Sequence, residues 1–96
     1  MYTIIGVDYE FDLAKNESNF EKHGLSLAEA EGFEWETAVV FEDIRKPYPE
    51  RRFVAVGYVG KRLCVMAYCL RGQAIRVISL RRANLRELNR YAETQT

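Results

Sequence analysis

Residues 52–79 read RFVAVGYVGKRLCVMAYCLRGQAIRVIS, three apolar runs separated by two short breaks that each contain a glycine. Each run has the length and the β-branched or aromatic character of a strand: Arg52 to Tyr58, Leu63 to Leu70 and Ala74 to Ser79. The breaks, Gly60-Lys61 and Arg71-Gly72-Gln73, are so short that successive strands turn straight back as antiparallel hairpins. Runs this uniformly apolar are not half-wetted strands, so helices are expected over at least one face of the sheet.

The surrounding chain supplies them. Upstream, Thr37 to Glu42 reads as a further strand, and Arg45 to Glu50, with Pro47 and Pro49, as a turn region. Nearer the start, Thr3 to Phe11 reads as a first strand. Asp12 then caps a helix from Leu13 to about His23, and Gly24 stops it. On that helix Leu13, Asn16 and Phe20 fall on one side and Lys15, Asn19 and Lys22 on another. Ser26 followed by Glu29 forms a capping box for a short helix from Leu27 to about Glu31, ended by Gly32. Asn84 with Glu87 is a second box, opening a final helix through about Tyr91. Strand, helix, helix, four strands, helix is an α+β order, with an N-terminal strand and two helices, an antiparallel four-strand region and a C-terminal helix. With 96 residues, 48% of them apolar, there is one modest core to bury, and a single domain over residues 1–96 is expected.

Other classes fall away on composition. Charged residues make up 29%, interleaved with too much hydrophobe for a disordered chain. No apolar run approaches the roughly 18 residues of a membrane helix, and Met1 to Asp8 lacks the basic start of a signal peptide. The expectation is a cytoplasmic protein with no membrane partner. Cys64 and Cys69 lie an odd number of residues apart on one strand, so they face opposite sides and read as two buried thiols. With His23 as the sole histidine there is no zinc pattern, and neither a metal nor another cofactor is expected. Glycine-rich phosphate cradles are absent. Glu29 with Glu34, or Asp8 with Asp12, could be paired carboxylates, yet nothing in their spacing separates them from surface acid.

The net charge of zero hides an uneven distribution. Residues 1–43 hold eleven carboxylates against two lysines, whereas residues 44–96 hold twelve cationic side chains, ten of them Arg, against three Glu. The halves either neutralise each other across the fold or present an arginine face to nucleic acid or an acidic partner. A guanidinium fork suits phosphate oxygens better than an ammonium does. Arg76 is the most informative member: it shares a strand face with Ala74 and Ile78, and a charge held there needs a carboxylate such as Glu50 or Glu87, or a function. Arg71 sits in a turn, Arg81 and Arg82 lie between the last strand and the final helix, and Arg86 and Arg90 share one face of that helix. His23 and Lys22 end the first helix, where the macrodipole favours cations. Tyr91 either stacks on a base or anchors the final helix to the core.

These residues also carry a resemblance. Phe11-Asp12-x-x-Lys15, Asn19-x-x-Lys22-His23-Gly24-x-Ser26-x-x-Glu29-Ala30, Phe41-Glu42-Asp43, Glu50-x-Arg52-Phe53-x-Ala55-x-Gly57, and Arg71-Gly72-x-x-x-Arg76-x-Ile78-Ser79-x-Arg81-x-Ala83-x-x-x-Glu87-x-x-x-Tyr91 together resemble the BrnT toxins of bacterial type II toxin–antitoxin systems. The sequence departs at Gly32-Phe33-Glu34-Trp35-Glu36, where Trp35 is open to a role in partner contact, and at Pro47 and Pro49. The resemblance implies a RelE-like fold and a ribonuclease that stops translation. It also implies a BrnA-like antitoxin whose ribbon-helix-helix part binds operator DNA, so that the toxin meets DNA through the antitoxin alone, and it allows for a toxin homodimer within the complex.

Cutting RNA without metal takes a base for the 2′-hydroxyl, cationic clamps for the phosphate and an acid for the leaving oxygen. Arg76 is the expected transition-state clamp, with Arg71, Arg81, Arg82 and Arg86 as phosphate contacts. The base is Glu50 or His23, and the acid is His23, Lys22 or Tyr91. The alternative is a module without catalysis, whose arginine face holds a protein or an RNA.

Overall fold

A computed structural model describes residues 8–95. Five strands form one sheet in the order β1-β5-β4-β3-β2, where β1 is Asp8–Glu10, β2 Val39–Glu42, β3 Phe53–Val59, β4 Arg62–Arg71 and β5 Ala74–Arg82. Helix α1 spans Leu13–His23, a 3-10 helix spans Leu27–Gly32, and α2 spans Leu85–Thr94. The four strands β2 to β5 are antiparallel neighbours; two-residue turns join β3 to β4 and β4 to β5, and the longer loop of residues 43–52 joins β2 to β3. β1 adds a fifth, parallel to β5, with Glu10 opposite Arg76. Of the strand expected over Thr3 to Phe11, residues 3–7 lie outside the described residues. β5 runs three residues further than its apolar pattern suggests, because Arg81 and Arg82 keep the ladder opposite Val65 and Cys64.

The caps behave as their chemistry predicts. Asp12 accepts a hydrogen bond from the Ala14 amide, Gly24 takes the left-handed φ of 72° that ends α1, and both capping boxes are closed. One face of the sheet is covered. Leu25, Leu27, Ala30 and Phe33 pack there on Ala55, Cys64, Met66, Tyr68, Val77 and Leu80. Gly57 must be glycine for this packing, since a Cβ would meet Phe33 Cζ at 2.7 Å.

Two side chains sit where the sequence pattern alone does not place them. The core-facing side chain of α1 is Asn19, with Leu13 and Phe20 exposed. Asn19 Nδ2 donates to the Leu25 and Leu80 carbonyls, and its Oδ1 accepts from the Leu80 amide, so an amide docks α1 onto β5. A hydrophobic pattern cannot reveal a helix held by hydrogen bonds to backbone. Trp35, open to a partner role from sequence, is tied inward: its Nε1 donates to Tyr9 Oη at 2.7 Å, and its ring packs edge-on to Phe33 and Tyr68. Cys64 and Cys69 are buried and unpaired on opposite faces of β4. Among the described residues no helix is long and apolar enough to cross a membrane.

Candidate active site

The second face of the sheet carries the charged side chains. β4 presents Val65, Ala67, Cys69 and Arg71 to it, and the register brings Arg81, Ser79, Arg76 and Ala74 of β5 alongside them in that order. Arg76 and Arg81 are five residues apart and would point to opposite faces of a regular strand. A bulge at Ile78, opposite the Ala67–Tyr68 step, inserts one residue and turns both to the same side. Arg82, next along, faces the covered side at the sheet's end, opposite Cys64. The arginines expected as one group are therefore divided.

At one end of this open face Arg71 grips Glu50 with both arms of its fork, Nε to Oε2 at 3.0 Å and Nη2 to Oε1 at 3.2 Å. Beside them the Cys69 thiol donates to Glu50 Oε1 at 3.5 Å. Arg76 Nη1 lies 3.5 Å from Glu10 Oε1 across the β1–β5 pair. The Arg71 hydrogen bonds hold the Glu50 carboxyl below the usual carboxylate range; Cys69 and the charge of Arg76 add to the effect. Burial, followed by the neighbouring Glu50, raises the Cys69 thiol, which keeps it protonated. Glu50 is presented by the loop after β2. There Asp43, buried, accepts hydrogen bonds from the Arg45 amide and guanidinium and from Tyr48 Oη, and its carboxyl is pulled well down by Arg45.

The other sequence candidates lie elsewhere. Arg81 sits about four residues, roughly 13 Å, along the sheet from Arg76 and forms a two-armed pair with Glu87, both bonds 2.8 Å. This pair pushes Glu87 down to about 2. Arg86 is exposed on α2. Lys22 and His23 are exposed at the end of α1, on the covered side. Tyr91 is buried, donates its hydroxyl to the Thr37 carbonyl at 2.7 Å and packs edge-on to Tyr58, which anchors α2. The carboxylates weighed as partners of Arg76, Glu50 and Glu87, belong instead to Arg71 and Arg81.

Glu10 and Cys69 complete the cluster and were not singled out from sequence. Glu10 arrives through a parallel pairing that no turn announces, and Cys69 reads as a plain buried thiol. The uneven charge of the two halves is closed in part within the fold. Of six ion pairs among the described residues, four join residues 1–43 to residues 44–96: Glu10–Arg76, Glu29–Arg62, Glu42–Arg51 and Asp43–Arg45. Among the described residues no group of three or more His, Cys, Asp and Glu is placed to hold a metal.

A small mixed sheet with α1 and the 3-10 helix on one face, α2 across one end of the other, and guanidinium–carboxylate pairs on that second face define the class. The crystal structure of the Brucella abortus ribonuclease toxin BrnT has the same fold, with a TM-score of 0.64 and 29% identity, over 82% of this chain and 99% of that one. The model of the family described as "Ribonuclease toxin, BrnT, of type II toxin-antitoxin system" matches residues 11–87. The chain belongs to the BrnT family of ribonuclease toxins, and membership implies an antitoxin partner. A search of curated proteins finds no match.

Proposed function

We propose that this toxin cuts RNA on the open face of its sheet, at the Glu50–Arg71–Arg76 cluster, without a metal ion. The observation that carries the reading is the meeting of Glu50, bonded to Arg71, with Arg76, itself paired to Glu10, at a partly exposed corner of one sheet face. An RNA phosphate competes with Glu50 and Glu10 for the two forks. When Arg71 turns to phosphate, Glu50 loses the hydrogen bonds that depress it and gains an anion beside it, and both changes raise its basicity. Glu50 then takes the 2′-hydroxyl proton, the 2′-oxygen attacks phosphorus, and the bond from phosphorus to the 5′-oxygen breaks. The products are a 2′,3′-cyclic phosphate and a 5′-hydroxyl whose proton comes from water. Arg76 and Arg71 stabilise the charge that builds on the phosphoryl oxygens, a role suited to a side chain that stays protonated.

Lys22 and His23, on the other side of the sheet, and Tyr91, whose hydroxyl is engaged, stand outside this scheme. Arg81 and Arg86 lie further along the open side and on α2, where flanking phosphates would pass; Arg82 stands at the margin. The cut halts translation, and a BrnA-like antitoxin with a ribbon-helix-helix part neutralises the toxin and brings it to operator DNA.

The test is a labelled RNA in EDTA with wild-type, Arg76→Ala and His23→Ala proteins checked for folding. Wild type leaves 2′,3′-cyclic phosphate ends, Arg76→Ala loses about 10²–10³-fold in rate, and His23→Ala stays within a few fold. Undiminished cleavage by folded Arg76→Ala refutes the site.

A further inference from the structure

Beside the candidate active site, the same face of the sheet forms a groove of about 500 Å³ beneath α2. Its floor is apolar, built from Phe41, Val54, Val56, Val65 and Ile78, and Ile44 stands at its rim with 82% of its surface exposed. Phe41 is half exposed as well, so two bulky side chains at this groove meet water in the free toxin. The carboxylates along the groove are already engaged: Glu42 by Arg51, Asp43 by Arg45 and Glu87 by Arg81. Two guanidiniums are not. Arg52 lies 4.0 Å over the Tyr48 ring with no ion-pair partner, and Arg90 on the opposite wall likewise has none among the described residues. The groove therefore offers an apolar trough with an uncompensated positive charge on each side.

We propose that this groove is the docking site for an amphipathic acidic segment of the antitoxin, with apolar side chains on the trough floor and carboxylates on Arg52 and Arg90. The volume accommodates a few large side chains, and the charges fix their register. A second copy of the toxin in two-fold pairing would bring the same uncompensated guanidiniums to the interface. An RNA would leave the apolar floor without partners. The trough runs through Ala67 and Ser79 toward Arg76, so its occupant extends over the candidate active site. This deepens the ribonuclease reading by giving inhibition a place, and it rests on the family's antitoxin.

The experiment measures affinity for the purified antitoxin, taken as the product of the reading frame beside the toxin's own, with no RNA present. Ile44→Glu and Arg90→Glu both change exposed side chains, and circular dichroism verifies their fold. Each variant is expected to weaken binding at least tenfold and the pair at least a hundredfold, with RNA cleavage by the free toxin unchanged. Of peptides tiled across the antitoxin, the one that binds wild type and not the double variant is amphipathic and acidic. Affinity of the double variant within threefold of wild type overturns the proposal. So does a basic binding segment, self-association of the toxin lost in the variants, or impaired RNA binding with antitoxin affinity intact. A toxin that binds through the groove yet cuts no RNA defeats the ribonuclease reading alone.

Discussion

The two faces of this sheet are made by the same strands and are held by different forces. On β4, Cys64, Met66 and Tyr68 look into a core closed by Leu25, Leu27 and Phe33, while Val65, Ala67, Cys69 and Arg71 look out on the other side. The covered face is an apolar contact, with one buried amide, Asn19, supplying the hydrogen bonds that dock α1. The other face combines an apolar trough beneath α2 with guanidinium–carboxylate pairs, and few side chains hold α2 there. Burial of apolar surface gives the domain its stability, whereas partly exposed ion pairs contribute little to it. Pairs of that kind can exchange one anion for another, which the proposed binding of RNA phosphate requires.

If this division is right, damage to the covered face costs fold and activity together, and damage to the open face costs activity first. Leu80 is fully buried, and Leu80→Ala should destabilise by about 2–5 kcal/mol in urea unfolding, with cleavage lost in step with the folded fraction. A loss below about 1 kcal/mol would mean that this face is not the main source of stability. Next comes Asn19→Ala, which strands the Leu80 amide and carbonyl and the Leu25 carbonyl in a dry interior. About 1–3 kcal/mol should disappear, and hydrogen exchange at Leu80 should quicken before the rest of β5. Unchanged protection there would show that packing alone docks α1.

The smallest effect belongs to the open face. Glu87 is held at about 2, below its ordinary 4.5. Between those values the unfolded chain binds more protons than the folded one. The stabilisation from Arg81–Glu87 is therefore complete above about pH 4.5 and disappears as pH falls through about 2. It should amount to about 1 kcal/mol, since both side chains meet solvent. Glu87→Gln should flatten that part of the stability–pH profile, and a profile identical to wild type would place the acid sensitivity elsewhere.

The amino-acid sequence by itself determined the α+β class, the hairpins, the caps of both helices and the buried state of both thiols. Each follows from interactions within a few residues: a capping side chain, a glycine at a turn, an apolar run of strand length. Only the tertiary structure decided how the arginines are partnered and which of them act together. Arg76 reaches Glu10 through a parallel pairing across more than sixty residues, and Arg81 joins its face through a single bulge at Ile78. α1 faces inward through Asn19, against its hydrophobic pattern. Strand register and bulges are set by contacts between distant segments, and a shift of one residue reverses every side chain that follows.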